Sequence, residues 1–266
     1  MSEEKTELII GTLESSTILL LYLMSRYHSE KCIFFPLHIE PGFKTKKEDF
    51  YLNQLVWSCT EKNFLTCSFI YPYGDIVKFI TEILADDSCS TQNIIVLPFT
   101  LMYISRKGKQ LYHNNVLIYN RELNELERFE PHGKSSLTIH KLYAEELLDK
   151  ELNEFAKSLG GENCKYISPM DYCPDIGIQR LIEREGNNEL IDLCTIWTFI
   201  YTDFRLKYAE KTRDEIINEL MSQTSLEDIK KLAKTIILMI KEIYNKLLQT
   251  KTDEDIINLI KELNFN

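Results

Sequence analysis

The sequence predicts an α+β fold in which a helix buried on nearly every side packs against an antiparallel sheet. Three observations carry this. Strand-like runs cluster between Asn93 and Glu130. Helix-period apolar patterns then occupy Thr138 to Ser158 and much of Cys194 to Leu263. Among them, Ile196, Trp197, Phe199, Ile200, Tyr201, Phe204 and Leu206 leave almost no polar face before Lys207, the mark of an interior helix.

Taken in order, Ser15-Ser16-Thr17 is placed to cap a helix running to Met24 or Tyr27. Cys32 to Phe35 is a short buried strand stopped by Pro36. Phe50–Trp57 and Asp75–Ala85 read as helical, the latter through Ile76, Val77, Phe79, Ile80 and Leu84. Asn93–Phe99 and Leu101–Ile104 are two strand-like runs broken at Pro98. A turn at Arg106 to Lys109 leads into a strand carrying His113-Asn114-Asn115-Val116-Leu117-Ile118-Tyr119. Asn120 to Glu125 has turn character, and Leu126–Glu130 returns as the second arm of a hairpin. Thr138–Ser158 is helical, with Gly160-Gly161 as its stop, and Cys164–Ser168 is one more strand. Beyond the Cys194 helix, Thr212-x-x-Glu215 and Ser225-x-x-Asp228 have capping-box spacing, and apolar residues from Leu226 to Leu247 form one helical stripe. Asp253–Leu263 is a last short helix. The chain divides as an N-terminal elaboration and recognition region (1–93), a catalytic core (94–210) and C-terminal helices (211–266), within a single catalytic domain.

With 266 residues, 44% apolar and 27% charged, the chain can bury a sizeable core. A net charge of −10 without a basic patch excludes nucleic acid as the main partner. The seven cysteines (32, 59, 67, 89, 164, 173 and 194) form no CxxC pair, which argues against structural zinc and points to reduced thiols in an intracellular compartment. The apolar run Ile18–Met24 is far too short for a membrane span, and the acidic residues before it are unlike a signal peptide, so no membrane association is expected.

Four residues carry candidate chemistry. Glu130, 17 positions after His113, closes the strand expected to pair beside it, and a carboxylate next to an imidazole fixes the ring of a general base. Pro131 fixes the chain where that carboxylate emerges. Cys194 opens a helix, where a thiol beside an imidazolium has a lowered pKa. From its segment alone, a buried core cysteine is the commoner reading. Asp192 is placed either to cap that helix or to oppose thiolate formation. The amide of Gln179, with the Cys194 backbone N–H, would make a two-donor oxyanion hole. No one of the four is specific by itself; their order, His, acid, Gln, Cys, is.

On that order, and on His113/Asn115, Arg128-Phe129-Glu130-Pro131-His132-Gly133, Cys173-Pro174-x-x-Gly177-x-Gln179, Cys194-x-x-Trp197-Thr198 and Asp203-x-Arg205-Leu206, the chain resembles the papain-like cysteine proteases of the adenain and SUMO-protease (Ulp-type) class, especially versions from large DNA viruses. The resemblance spans about residues 94 to 215. It implies His113 as base, Glu130 as its orienter, Gln179 as oxyanion donor and Cys194 as nucleophile, with no metal or organic cofactor. It also implies a monomer that cleaves peptide or isopeptide bonds after ubiquitin or a ubiquitin-like protein. Relatives of the same fold process viral precursors or transfer acetyl groups, and a binding module without turnover is a further alternative. Asp192-Leu193 stands where the class has Gly and an aromatic residue, and Asn114 where its SUMO proteases often carry Trp.

Overall fold

The computed structural model describes residues 12–27, 32–33, 42, 55–59, 67–69, 77–78, 80–82, 94–104, 108, 110–134, 143–184, 194–222 and 225–263. A seven-stranded mixed sheet lies between two helical layers. Its strands are β1 (Cys32–Ile33), β2 (Leu55–Cys59), β3 (Cys67–Phe69), β4 (Ile94–Ile104), β5 (Gln110–Asn120), β6 (Glu125–Phe129) and β7 (Lys165–Ile167). The order is β3-β2-β4-β5-β6-β7, with β1 also on β4. The helices are α1 (Thr12–Tyr27), α2 (Glu145–Gly160), α3 (Pro169–Tyr172), α4 (Ile178–Arg184), α5 (Cys194–Lys207), α6 (Arg213–Ser222), α7 (Leu226–Gln249) and α8 (Asp253–Leu263).

The hairpin β5–β6 forms as expected, with antiparallel register Val116↔Phe129 through Asn120↔Glu125. Alternation along β4 and β5 feeds two cores. Ile94, Val96, Val116 and Ile118 face α1, α5, α6, α7 and α8, while Ile95, Leu97, Phe99, Leu117 and Tyr119 face α2. α2 meets them with Leu148, Leu152, Phe155 and Ala156, an i, i+4, i+7, i+8 stripe that is completely buried. Burial on both faces explains why these strands read as continuous apolar runs.

Several expectations are corrected. β4 runs unbroken through Pro98, which pairs with Val116. On β4's other edge, among the described residues, β1 pairs at residues 95 and 96 and β2 from residue 99, so the proline, which has no N–H, falls between those pairings. Leu55–Cys59 is a fully buried strand and not a helix, because β3 and β4 flank it on both sides. Residues 50–54 lie outside the described residues, as do 34–36. The sheet is not purely antiparallel: β1 and β2 run parallel to β4, and β7 parallel to β6. α1 begins before Ser15-Ser16-Thr17, so these residues lie within the helix and do not cap it. α2 begins at Glu145, seven residues after the expected start. Ala144 is left-handed (φ 53°), and Tyr143 belongs to the turn before the helix. Cys59 and Cys67 face each other across β2 and β3, Cα atoms 4.2 Å apart, and form a disulfide, contrary to the expectation of reduced thiols throughout. Cys164, Cys173 and Cys194 are not in disulfides.

The interior helix is observed. α5 buries Cys194, Ile196, Trp197, Thr198, Phe199, Ile200, Tyr201, Thr202, Arg205 and Leu206. It is anchored to β6 by a buried charge cluster: Glu127 accepts from Arg205 Nε at 2.9 Å, Tyr201 Oη at 2.8 Å and Arg213 Nε at 3.2 Å. The expected capping box forms at Thr212/Glu215; at Ser225 the hydroxyl caps the Asp228 amide, but the Asp228 carboxylate accepts from that hydroxyl and not from the Ser225 backbone N–H. No helix among the described residues is long and apolar enough to cross a membrane.

Candidate active site

The site forms where β6 ends before β5 does. β6 stops at Phe129, opposite Val116, and leaves residues 113–115 of β5 without a neighbour on that edge. Two things fill the notch. One is the turn Glu130-Pro131-His132-Gly133, closed by a hydrogen bond from the Gly133 amide to the Glu130 carbonyl at 3.1 Å. The other is the first residue of α5, whose Cys194 Sγ accepts the Asn114 amide proton at 3.3 Å. The Thr198 hydroxyl fastens α5 to the strand, 2.7 Å from the Cys194 carbonyl and 3.1 Å from that of Asn114.

His113, Glu130 and Cys194 therefore come together, with 2%, 0% and 5% of their surface exposed. His113 Nε2 lies 2.7 Å from Glu130 Oε1, and its imidazole also hydrogen-bonds the Cys194 thiol. The other carboxylate oxygen, Oε2, accepts from Asn115 Nδ2 and Tyr143 Oη, each at 3.2 Å. The His132 amide donates to Oε1 at 2.9 Å. Burial opposes the charged form of all three groups, but their mutual interactions win. Glu130 is held well below the usual carboxylate range by the charge and hydrogen bond of His113. His113 rises to about 10 despite burial, through Glu130 and Cys194. Burial pushes the Cys194 thiol up, and the hydrogen bond and charge of His113 together with the Asn114 amide bring it below its ordinary value. Both shifts run in the direction that favours a thiolate–imidazolium pair.

Gln179 sits in the first turn of α4, buried, and α4 packs against α5. Its segment is zipped onto the acid turn by three backbone hydrogen bonds: Gly177 N to His132 O at 2.9 Å, Gln179 N to Pro131 O at 3.2 Å and Lys134 N to Pro174 O at 3.0 Å. Gly133 (φ +80°) and Gly177 meet backbone to backbone, and a Cβ on Gly177 would fall onto the Pro131 carbonyl oxygen. Gly177→Ala must therefore push the Gln179 segment off the acid turn. Activity is expected to fall by about 10²-fold, because displacements of ~1 Å at a catalytic centre have that effect. Steady-state kinetics on protein shown to be folded by circular dichroism measures it; activity within twofold of the parent would contradict this role.

Three contributors were not picked out from the sequence. His132 packs its ring against His113, centroids 4.5 Å apart, and its Nδ1 lies 3.2 Å from His113 Nε2 and 3.3 Å from Glu130 Oε1. Tyr143 reaches Glu130 from the turn before α2. Arg128, completely buried, hydrogen-bonds Asn115 Oδ1 at 3.3 Å and Tyr166 Oη at 3.0 Å and pairs with Glu145 and, at 3.4 Å, with Asp149. His132 and Arg128 stand in the motif that carries the family resemblance, which was the available signal. His113, Glu130 and His132 also form a group with suitable metal-ligand atoms within 4.8 Å of one another. Asp192 and Leu193 lie outside the described residues.

No family model matches the chain. It is 30% identical over 139 residues to the putative ankyrin repeat protein L371 of Acanthamoeba polyphaga mimivirus, a match that covers 48% of this chain and only 18% of that protein. Among solved structures it is similar to the Chlamydia trachomatis effector ChlaDUB1 (TM-score 0.49, 12% identity, 90% of this chain and 85% of that chain). It is also similar to the Chlamydia abortus effector ChlaDUB (TM-score 0.42, 13% identity, 93% and 97%). A third likeness is to the Legionella pneumophila effector RavZ (TM-score 0.32, 13% identity, 97% and 89%).

Proposed function

We propose that the protein is a cysteine peptidase that hydrolyses peptide or isopeptide bonds after ubiquitin or a ubiquitin-like protein. The observation that carries this is the buried relay in which Glu130 holds one nitrogen of His113 and the ring bonds Cys194 at the start of α5. The substrate class follows from the resemblance in the Arg128–Gly133 and Cys194–Thr198 runs.

In this reading the Cys194 thiolate attacks the scissile carbonyl, and the oxyanion is held by the Cys194 amide and the Gln179 side chain. His113, already protonated, gives its proton to the leaving amine. It then takes one from the water that releases the acyl-enzyme. Glu130 keeps the ring oriented and stabilises its cation. The Asn114 amide stabilises the thiolate before attack. The reaction as written needs no metal or organic cofactor.

The pH dependence follows. The productive pair requires Cys194 deprotonated and His113 protonated; the first pKa is lowered and the second raised to about 10. The profile of kcat/KM is expected to rise below the ordinary thiol value of 9.0, as Cys194 deprotonates, and to fall near pH ~10, as His113 does. The same linkage makes the His113 contribution to stability complete below its unfolded pKa of about 6.5 and lost as pH rises through about 10. Activity already lost by pH ~8 would contradict the assignment.

The substrate class is tested with electrophilic probes built on the C-termini of ubiquitin and of SUMO. A covalent adduct with one probe, lost in Cys194→Ala, supports the reading. No adduct with either probe, while Cys194 is selectively alkylated by a small reagent, would discard the ubiquitin-like substrate and retain the activated thiol.

A further inference from the structure

We propose that His113, His132 and Glu130 form a facial binding site for zinc(II), and that a zinc ion bound there switches the site off. The inhibitory role rests on the peptidase reading; the binding itself does not.

Geometry makes the case. His113 Nε2, His132 Nδ1 and Glu130 Oε1 form a triangle with edges of 3.2, 3.3 and 2.7 Å. The circle through these atoms has a radius of about 1.8 Å, shorter than a zinc–ligand bond of ~2.0–2.1 Å. A point at bonding distance from all three therefore lies about 1 Å above their plane, as these three atoms stand. The donor set, two imidazoles and one carboxylate, is one that zinc favours and leaves a fourth position open.

The outer contacts suit the role as well. Asn115 Nδ2 and Tyr143 Oη hold Glu130 Oε2, so the carboxylate presents Oε1 to both rings, as supporting hydrogen bonds do for metal-bound carboxylates. The main chain fixes the third ligand, since the His132 amide donates to Glu130 and its carbonyl accepts from Gly177. A catalytic dyad needs one imidazole and one carboxylate; the second imidazole, packed on the first, is what completes a chelate.

Binding displaces one proton, the Nε2 proton of His113, which leaves to solvent as the nitrogen–zinc bond forms. The ring keeps the proton on its other nitrogen. Its carboxylate partner is now shared with the ion, and the metal-bound neutral ring is too weak an acid to protonate a leaving amine. Peptidase activity stops while the thiol is intact, and chelation restores it.

Zinc chloride is titrated into the full chain against a chromophoric chelator, with His132→Ala, Cys194→Ala and the unaltered protein compared. The expected result is one equivalent bound, weakened by ~10²-fold or more in His132→Ala and retained in Cys194→Ala, since loss of a ligand should exceed the 10–100-fold of an outer contact. Where His132→Ala does not fold, imidazole NMR of the unaltered protein replaces it, and zinc should shift both the His113 and His132 signals. No binding, binding indifferent to His132, or binding lost with Cys194 would overturn the site. Binding as expected in a protein that reacts with neither ubiquitin-like probe would leave the metal site standing and remove the ubiquitin-like substrate.

Discussion

Glu130→Gln is expected to lower kcat/KM by about 10³–10⁴-fold in a protein that still folds. The carboxylate accepts from the His113 ring at 2.7 Å, the His132 amide at 2.9 Å, and Asn115 and Tyr143 at 3.2 Å each. A glutamine has the same shape but must turn its NH₂ toward one pair of these donors. The conflict costs about 1–3 kcal/mol of stability, as for a buried polar group left unsatisfied. The larger effect is chemical. Without the negative charge, burial lowers the pKa of His113, the imidazolium is lost near neutrality and the Cys194 pKa rises with it. The alkaline limb of the activity profile should move down from about 10 as the rate falls. Pre-steady-state kinetics across pH measures both. A rate within tenfold of the parent with an unmoved limb would show that Glu130 only fills space.

The second large effect is on stability. Arg128 has no solvent exposure and pairs with Glu145 and Asp149 on α2 while also bonding Asn115. Arg128→Met keeps the stem but leaves the carboxylates facing each other, and breaking a buried pair in this way costs about 3–5 kcal/mol. The loss should depend on pH. Burial, with the nearby charges of Asp149 and Glu130, already outweighs Arg128 and raises Glu145 to about 7. Below that value the Glu145 carboxyl is neutral and needs the guanidinium less; above it the charge is stranded. Urea unfolding at pH ~5 and ~8 should therefore show the greater loss at the higher pH. Equal losses at both would mean that Arg128 acts through packing alone. Because Arg128 bonds Asn115 and Asn115 bonds Glu130, part of this cost should also reach the catalytic rate.

How much of this could be read from the sequence depended on the range of the interaction. The β5–β6 hairpin, the interior helix, the Thr212/Glu215 capping box and the Ser225 cap follow from local patterns, and His113, Glu130 and Cys194 do meet. Short apolar runs were ambiguous: Leu55–Cys59 has no period that separates a strand from a helix, and its two neighbouring strands decide the matter. Pro98 looked like a break because the gap between β1 and β2 that accommodates it is created by segments far away in the chain. The same holds for the charge clusters. Glu127 and Arg205 are 78 residues apart, and only the packing of α5 on β6 makes them a pair. His132 was visible as part of a motif, but its contact with His113 depends on how the Glu130 turn folds back.

The most direct measurement is the rate of alkylation of each cysteine across pH, followed by peptide mass spectrometry in the parent and in Glu130→Gln. Cys173 is pushed up to about 12 by burial and Cys164 is raised by it as well, whereas Cys194 is lowered by His113. The expected result is that Cys194 reacts fastest of these three, with a midpoint below 9 that climbs when Glu130 is replaced. If Cys194 reacts no faster than Cys164, or its midpoint is indifferent to Glu130, the relay from Glu130 through His113 to Cys194 does not activate the thiol.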